Sequence, residues 1–172
     1  MSFPAFDEAP GPLPPINCMP AELLANPMFL LGRLGFTAKA LAFEAFEEAG
    51  YNPYQYSILA LLEEGARSTQ GEIADALGFD RGTLVKLLDG LEERGLIVRQ
   101  RDPKDRRRHV VSLTAAGKSQ LAEFRTIVLR LDNDFLAPLD DDDRAELHDL
   151  LSRIAKHLDP RFDREGNLSA GS

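Results

Sequence analysis

Six cationic side chains crowd into the eleven residues from Arg99 to His109: Arg99, Arg101, Lys104, Arg106, Arg107 and Arg108. They surround an Asp-Pro-Lys-Asp turn, Asp102 to Asp105, and the run His109 to Leu113 then alternates and is rich in valine, as a short strand would be. Leu96 to Arg101 reads as the opposing strand. The result is a two-stranded hairpin with a charged tip, and guanidinium and ammonium groups at such a tip can donate to phosphate oxygens or to guanine edges. Catalytic signals are missing by contrast. The chain holds no G-x-S-x-G, no phosphate-binding glycine loop and no H-E-x-x-H, so an enzyme is not expected.

The charge distribution supports a local anionic partner. The 172-residue chain has a net charge of −8, which taken alone argues against nucleic acid. Between Ala66 and Lys118, however, 11 Lys+Arg stand against 8 Asp+Glu, a local net of +3; the remainder has 9 against 20, a net of −11. A basic island on an acidic molecule marks where an anion docks, while the acidic remainder favours solubility and limits indiscriminate binding.

Elements that can position the hairpin follow from periodicity and punctuation. Residues 1–19 are a Pro-rich arm, with Pro4, Pro10, Pro12, Pro14 and Pro15 followed by Pro20. From about Pro20 to Gly50 the pattern is helical with a break near Asn26-Pro27. One apolar stripe is Leu31, Leu34, Ala38, Leu41 and Ala45, and a second is Phe29, Phe36 and Phe43. Two stripes imply two covered sides, one for a subunit partner and one for a core or pocket. Gly32 and Gly35 lie on this helix and suggest close helix packing. Asn52-Pro53 starts a helix to about Glu64 that buries Ile58, Leu59 and Leu62. Thr69-Gln70-Gly71-Glu72 matches a capping box and opens a short helix ending at Gly78. Asp80 caps the next helix, Arg81 to Arg94, with Leu84, Leu87, Leu88 and Leu91 inward. After the hairpin, Thr114 caps a long helix with Leu121, Phe124, Val128, Leu131 and Phe135 on one stripe. Asp140 caps the last helix, striped by Leu147, Leu150, Leu151, Ile154 and Leu158; residues 159–172 form a tail.

Two short helices joined at Leu77-Gly78-Phe79-Asp80 and followed by a basic hairpin make a winged helix-turn-helix, whose second helix enters the major groove. The fold expected is mainly α with a small β-hairpin wing. Residues 51–113 form the DNA-binding region, flanked by the helical regions 20–50 and 114–158. Candidate DNA contacts are Thr69, Arg81, Gly82, Thr83 and Lys86, then Lys104, Arg106, Arg107 and Arg108 on the wing.

The segments I-A-D-A-L-G (Ile73 to Gly78), L-D-G-L-E-E-R-G-L-I (Leu88 to Ile97), D-P-K-D-R-R (Asp102 to Arg107) and L-T-A-A-G (Leu113 to Gly117) resemble the multiple antibiotic resistance regulator (MarR) family. The similarity runs from about Met28 to Leu158. It implies an obligate homodimer held by the first and last two helices, binding a pseudopalindromic operator in double-stranded DNA as a repressor. It further implies that Arg107 or its neighbour enters the minor groove, and that Asp102 and Asp105 brace the wing by ion pairs. Two positions depart from the family pattern. Val85 stands where Ser or Thr is frequent and can only touch a thymine methyl or pack inward. Gly90 stands where a basic residue is common, at a cost of about 1 kcal/mol of helix propensity relative to alanine.

Remaining signals concern what else the chain binds. The family theme of small aromatic, phenolic or anionic effectors points to Arg33, Phe36, Phe43, Tyr51, Tyr54 and Tyr56, with Arg33 or Lys39 pairing a carboxylate; the alternative is that the phenylalanines are ordinary core. Cys18, the one cysteine, lies in the Pro-rich arm with no cation near it in sequence, which leaves oxidant sensing as an alternative. His109, His148 and His157 have no ligand-like spacing, so neither a metal nor another cofactor is expected. A single cysteine, no apolar run of membrane length and no secretory signal point to the cytoplasm, with no membrane partner. A winged-helix protein-interaction module without specific DNA binding is the competing class.

Overall fold

Local caps set the helix boundaries in the computed structural model, which describes residues 19–65, 69–101 and 109–163. Cys18, Asp102, Lys104, Asp105, Arg106, Arg107 and Arg108 lie outside those residues. A short helix α1 (Ala21–Leu24) precedes α2 (Pro27–Glu48), where Asn26 Oδ1 accepts from the amides of Met28 and Phe29 at 2.9 and 3.3 Å. At α3 (Pro53–Glu63), Asn52 and Gln55 form a reciprocal capping box: Asn52 Oδ1 accepts from Tyr54 N, and Gln55 Oε1 accepts from Asn52 N at 3.1 Å. Then come α4 (Gln70–Leu77), α5 (Arg81–Glu93), and the antiparallel strands β1 (Ile97–Arg101) and β2 (His109–Leu113). Their register runs from Ile97 opposite Leu113 to Arg101 opposite His109. A 21-residue helix, α6 (Ala115–Phe135), and then α7 (Asp141–Leu158) follow, with a 3-10 turn at Pro160–Phe162 after them.

The chain divides into two compact units, one ending at Leu131 and one beginning at Asp132. In the first, the apolar positions of α3, α4, α5, the hairpin and the start of α6 converge. Ile58, Leu59, Ile73, Leu88, Leu91, Leu121 and Phe124 are fully buried, each such side chain contributing about 1.5–3 kcal/mol on burial. Phe124 lies at the centre of an aromatic group, with ring centroids 5.1 Å from Phe46, 4.8 Å from Tyr51 and 6.5 Å from Tyr56. Gly90 has a packing reason for its lost helix propensity. A Cβ there would lie 3.2 Å from Nε2 of the buried Gln55, so glycine leaves room for the side chain that caps α3.

Along α2, an added Cβ at Gly32 or Gly35 meets no atom within 4 Å among the described residues, so the close packing read from these glycines is not made among them. Their turn of the helix is exposed, along with Leu30, Leu31, Leu34 and Phe36; only toward the carboxyl end do Phe43, Ala45 and Phe46 become buried. In the second unit, Asp140 Oδ1 caps α7 through Asp143 N at 2.9 Å. Arg144 bonds the Leu136 and Leu139 carbonyls and Asn133 Oδ1, taking up acceptors that the end of α6 leaves open. The apolar stripe of α7 is exposed in the single chain at Leu150, Leu151, Ile154 and Leu158.

Candidate nucleic-acid interface

The amino-terminal end of α4 is tied on three sides. Thr69 Oγ1 accepts from Glu72 N at 3.3 Å, while Glu72 Oε2 accepts from both Thr69 N (3.0 Å) and Thr69 Oγ1 (2.7 Å). Thr69 also bridges Val110, so strand β2 is pinned to the start of the helix-turn-helix. Its hydroxyl proton is therefore used inside the cap, and Thr69 positions α4 rather than offering that donor outward. Gly78 closes α4 in the left-handed region, φ 71°, which a side chain would strain.

Asp80 then starts α5, its Oδ1 accepting from Thr83 N at 3.0 Å and its Oδ2 from Thr83 Oγ1 at 2.6 Å. The Thr83 hydroxyl, then the Thr83 amide, hold the Asp80 carboxyl below its ordinary value of 3.8. A carboxylate depressed in the folded state contributes stability above its unfolded pKa and loses it as pH falls through the folded value. The cap is thus complete at neutral pH and is lost only in acid, as pH falls through that lowered value. Asp80→Ala is expected to lower the melting temperature at pH 7, whereas Asp80→Asn retains most of the capping and removes this site's acid sensitivity; melts recorded from pH 7 to pH 3 check both.

Leu84, Leu87, Leu88 and Leu91 anchor α5 in the core, which leaves Arg81, Gly82, Val85 and Lys86 exposed and Thr83 half-buried. Val85 is 42% exposed, so of its two readings the inward one is excluded. Arg81 and Val85 line a recess of about 450 Å³ together with Gln70, Gly71, Glu72 and Asp75 of α4 and His109 at the start of β2. The exposed edge of α5 thus borders this recess, and an exposed edge is what a recognition helix needs to enter the major groove.

Arg99, counted among the basic tip residues, has a structural role instead. Its Nη2 lies 2.7 Å from Asp89 Oδ1, its Nε donates to Glu92 Oε2 at 2.9 Å, and Glu92 Oε1 accepts from the Arg99 amide at 3.1 Å. Arg99 holds the Glu92 carboxyl below the usual glutamate range, and the two carboxylates in turn raise the guanidinium. This brace locks β1 to α5 across the turn at Gly95. The sequence signal was the E-E-R-G-L-I-V-R run, where acid and base stand seven residues apart on either side of a helix stop. At the other end of the wing, Thr114 Oγ1 lies 2.7 Å from Gly95 O and accepts from Gly117 N at 3.0 Å, fixing the exit of β2 into α6.

The proposed effector residues fall into separate settings. Phe43 and Tyr54 meet edge to face at 5.5 Å, and Tyr54 continues to Phe79 at 5.3 Å. Tyr56 packs on Phe46 and Phe124; Tyr51 packs on Phe124, carries the Arg94 guanidinium 4.1 Å above its ring, and donates to Gln120 Oε1 at 2.8 Å. Lys39 Nζ sits 5.5 Å from the Phe43 ring. Arg33 is half-buried and Phe36 exposed on the earlier turns of α2. None of Arg33, Phe36, Phe43, Tyr54 and Tyr56 lines the recess beside α5.

A capped helix-turn-helix with a braced hairpin behind it defines a winged-helix regulator. The sequence profile of the MarR family matches residues 49–108. A Thauera aromatica protein described as a transcriptional regulatory protein for the hcr operon is 36% identical over 148 residues, covering 81% of this chain and 88% of its own length. The transcriptional repressor CouR bound to a 23-mer DNA duplex matches with a TM-score of 0.70 at 34% identity, over 81% of this chain and 99% of that one. CouR from Rhodococcus jostii RHA1 bound to p-coumaroyl-CoA matches with a TM-score of 0.65 at 28% identity, over 77% and 94%. The chain belongs to the MarR family: it is a DNA-binding transcriptional regulator, not an enzyme. Among the described residues no helix is long and apolar enough to cross a membrane.

Proposed function

We propose that the protein is a homodimeric repressor that acts in the cytoplasm on genes near its own and is released from a pseudopalindromic operator by a small aromatic or anionic effector. The observation that carries the DNA half of this reading is the exposed edge of α5, where Arg81 and Lys86 face outward on a helix otherwise anchored by four leucines. Arg81 supplies a bidentate fork for guanine or phosphate; Gly82 lets the duplex approach the first turn; Arg106, Arg107 and Arg108, with Lys104, supply the wing's contacts, and Asp102 and Asp105 hold its shape. Dimerisation is supported by apolar surface that a lone chain leaves in water: Leu30, Leu31, Leu34 and Phe36 on α2, and Leu150, Leu151, Ile154 and Leu158 on α7. The effector half draws on the CouR complex with p-coumaroyl-CoA, and on α2, where Arg33 and Lys39 lie on the same helix as Phe36 and Phe43.

Substitution separates these roles. Arg107→Ala is expected to weaken operator binding by roughly one to two orders of magnitude, with the dimer and its melting temperature nearly unchanged. Arg81→Ala is expected to relax sequence preference at one position of each half-site. A uniform loss on all DNA would instead make Arg81 a phosphate contact. Fluorescence anisotropy on matched duplexes, with sedimentation to follow the dimer, reads all of these outcomes.

A further inference from the structure

The recognition helix carries an apolar reader as well as cationic ones. Arg81, Val85 and Asp89 stand four residues apart and share one side of α5. Asp89 is held by Arg99 at 2.7 Å, and the Thr83 hydroxyl on the neighbouring row is held by Asp80 at 2.6 Å. Val85 remains in the middle of the row, 42% exposed, on the wall of the recess with Arg81. A β-branched residue on an exposed helix position gives up helix propensity relative to alanine or lysine, and Val85 is not among the buried residues of α5 that would offset that. The isopropyl group has no donor or acceptor, and the one apolar feature that a base pair shows in the major groove is the C5-methyl of thymine.

We propose that Val85 determines specificity by packing on the C5-methyl of a thymine in each half-site of the operator, beside the base pair that Arg81 contacts. This rests on the reading of the protein as a sequence-specific DNA binder. Four residues of helix advance about 6 Å and successive base pairs about 3.4 Å, so the thymine lies within about two base pairs of the Arg81 contact. Removing one methyl from that contact weakens binding about fourfold per half-site, equivalent to about 0.8 kcal/mol, and roughly fifteenfold when both half-sites lose it.

The test selects binding sites for the full-length protein from a randomised duplex pool, then replaces each thymine of the selected half-site, one at a time, with deoxyuridine. Anisotropy titrations with the wild-type protein are expected to show one thymine per half-site whose methyl matters about fourfold, and Val85→Ala is expected to bind the thymine and uracil duplexes equally there. Because Val85 is exposed, Val85→Ala should melt with the wild type. A wild type indifferent to every methyl, or a Val85→Ala protein that keeps the full methyl dependence, overturns the assignment of Val85 while leaving DNA binding intact. A pool in which no sequence is enriched overturns the DNA-binding reading, and this inference with it.

Discussion

Gly117→Ala is expected to lower the melting temperature by roughly 10 °C, on a destabilisation of about 3 kcal/mol in a chain of this size. A Cβ built at Gly117 falls 2.0 Å from the Leu96 carbonyl oxygen and 2.7 Å from Leu113 Cδ2. The first is a backbone atom, already accepting from Thr114 N at 3.1 Å, and cannot rotate aside. To admit the methyl, α6 must move away from the base of the wing, which breaks the junction built by Thr114 with Gly95 and Gly117. Gly71→Ala is the matched control, since a Cβ there meets nothing within 4 Å. Thermal denaturation of the two variants should separate them widely. Equal melting temperatures would mean that α6 does not seat on the wing as described.

A loss of comparable size is expected for Phe124→Ala, about 3–5 kcal/mol and roughly 10–15 °C. The ring is fully buried and touches three other aromatic side chains, Phe46 of α2, Tyr51 before α3 and Tyr56 within it. Truncation leaves a cavity bounded by three elements that are also held by other contacts, so the site cannot collapse to fill it. Tyr56→Phe keeps the ring and is expected to change little. A fall of less than about 3 °C for Phe124→Ala would show that this aromatic group is not a principal tie between α6 and the rest of the first unit.

Those aromatic residues mark where the sequence is least informative. Tyr51, Tyr54 and Tyr56 have the composition of a ligand cleft and equally of a core, and only the fold shows Tyr51 and Tyr56 packed on Phe124. Caps are legible because they are local: Asn52, Thr69, Asp80 and Asp140 each act within three residues, and each starts the helix its sequence announces. Leucine periodicity in α5 and alternation in β2 are legible for the same reason, since burial follows the repeat of the element itself. Arg99 is different. Its charge announces an anion but not which one, and its carboxylates lie across a chain reversal. The hydroxyls of Thr69 and Thr83 pose the same difficulty: a donor suited to phosphate is also a donor suited to a neighbouring carboxylate. Gly117 was visible as part of L-T-A-A-G, but the Leu96 carbonyl that excludes a side chain is twenty-one residues away in the chain.

Taken together, α4 capped at Thr69, α5 anchored by its leucines and β1 braced by Arg99 describe a rigid frame that presents one exposed helix edge to a duplex. The most direct measurement is the affinity of the full-length protein for a duplex from the DNA flanking its own gene, against a scrambled duplex of equal length, at about 50 and 200 mM salt. The account predicts a preference of about a thousandfold or more for the native duplex, with affinity falling by about three orders of magnitude or more across that salt range as phosphate contacts release counterions. Equal affinity for the two duplexes, or binding indifferent to salt, would contradict it.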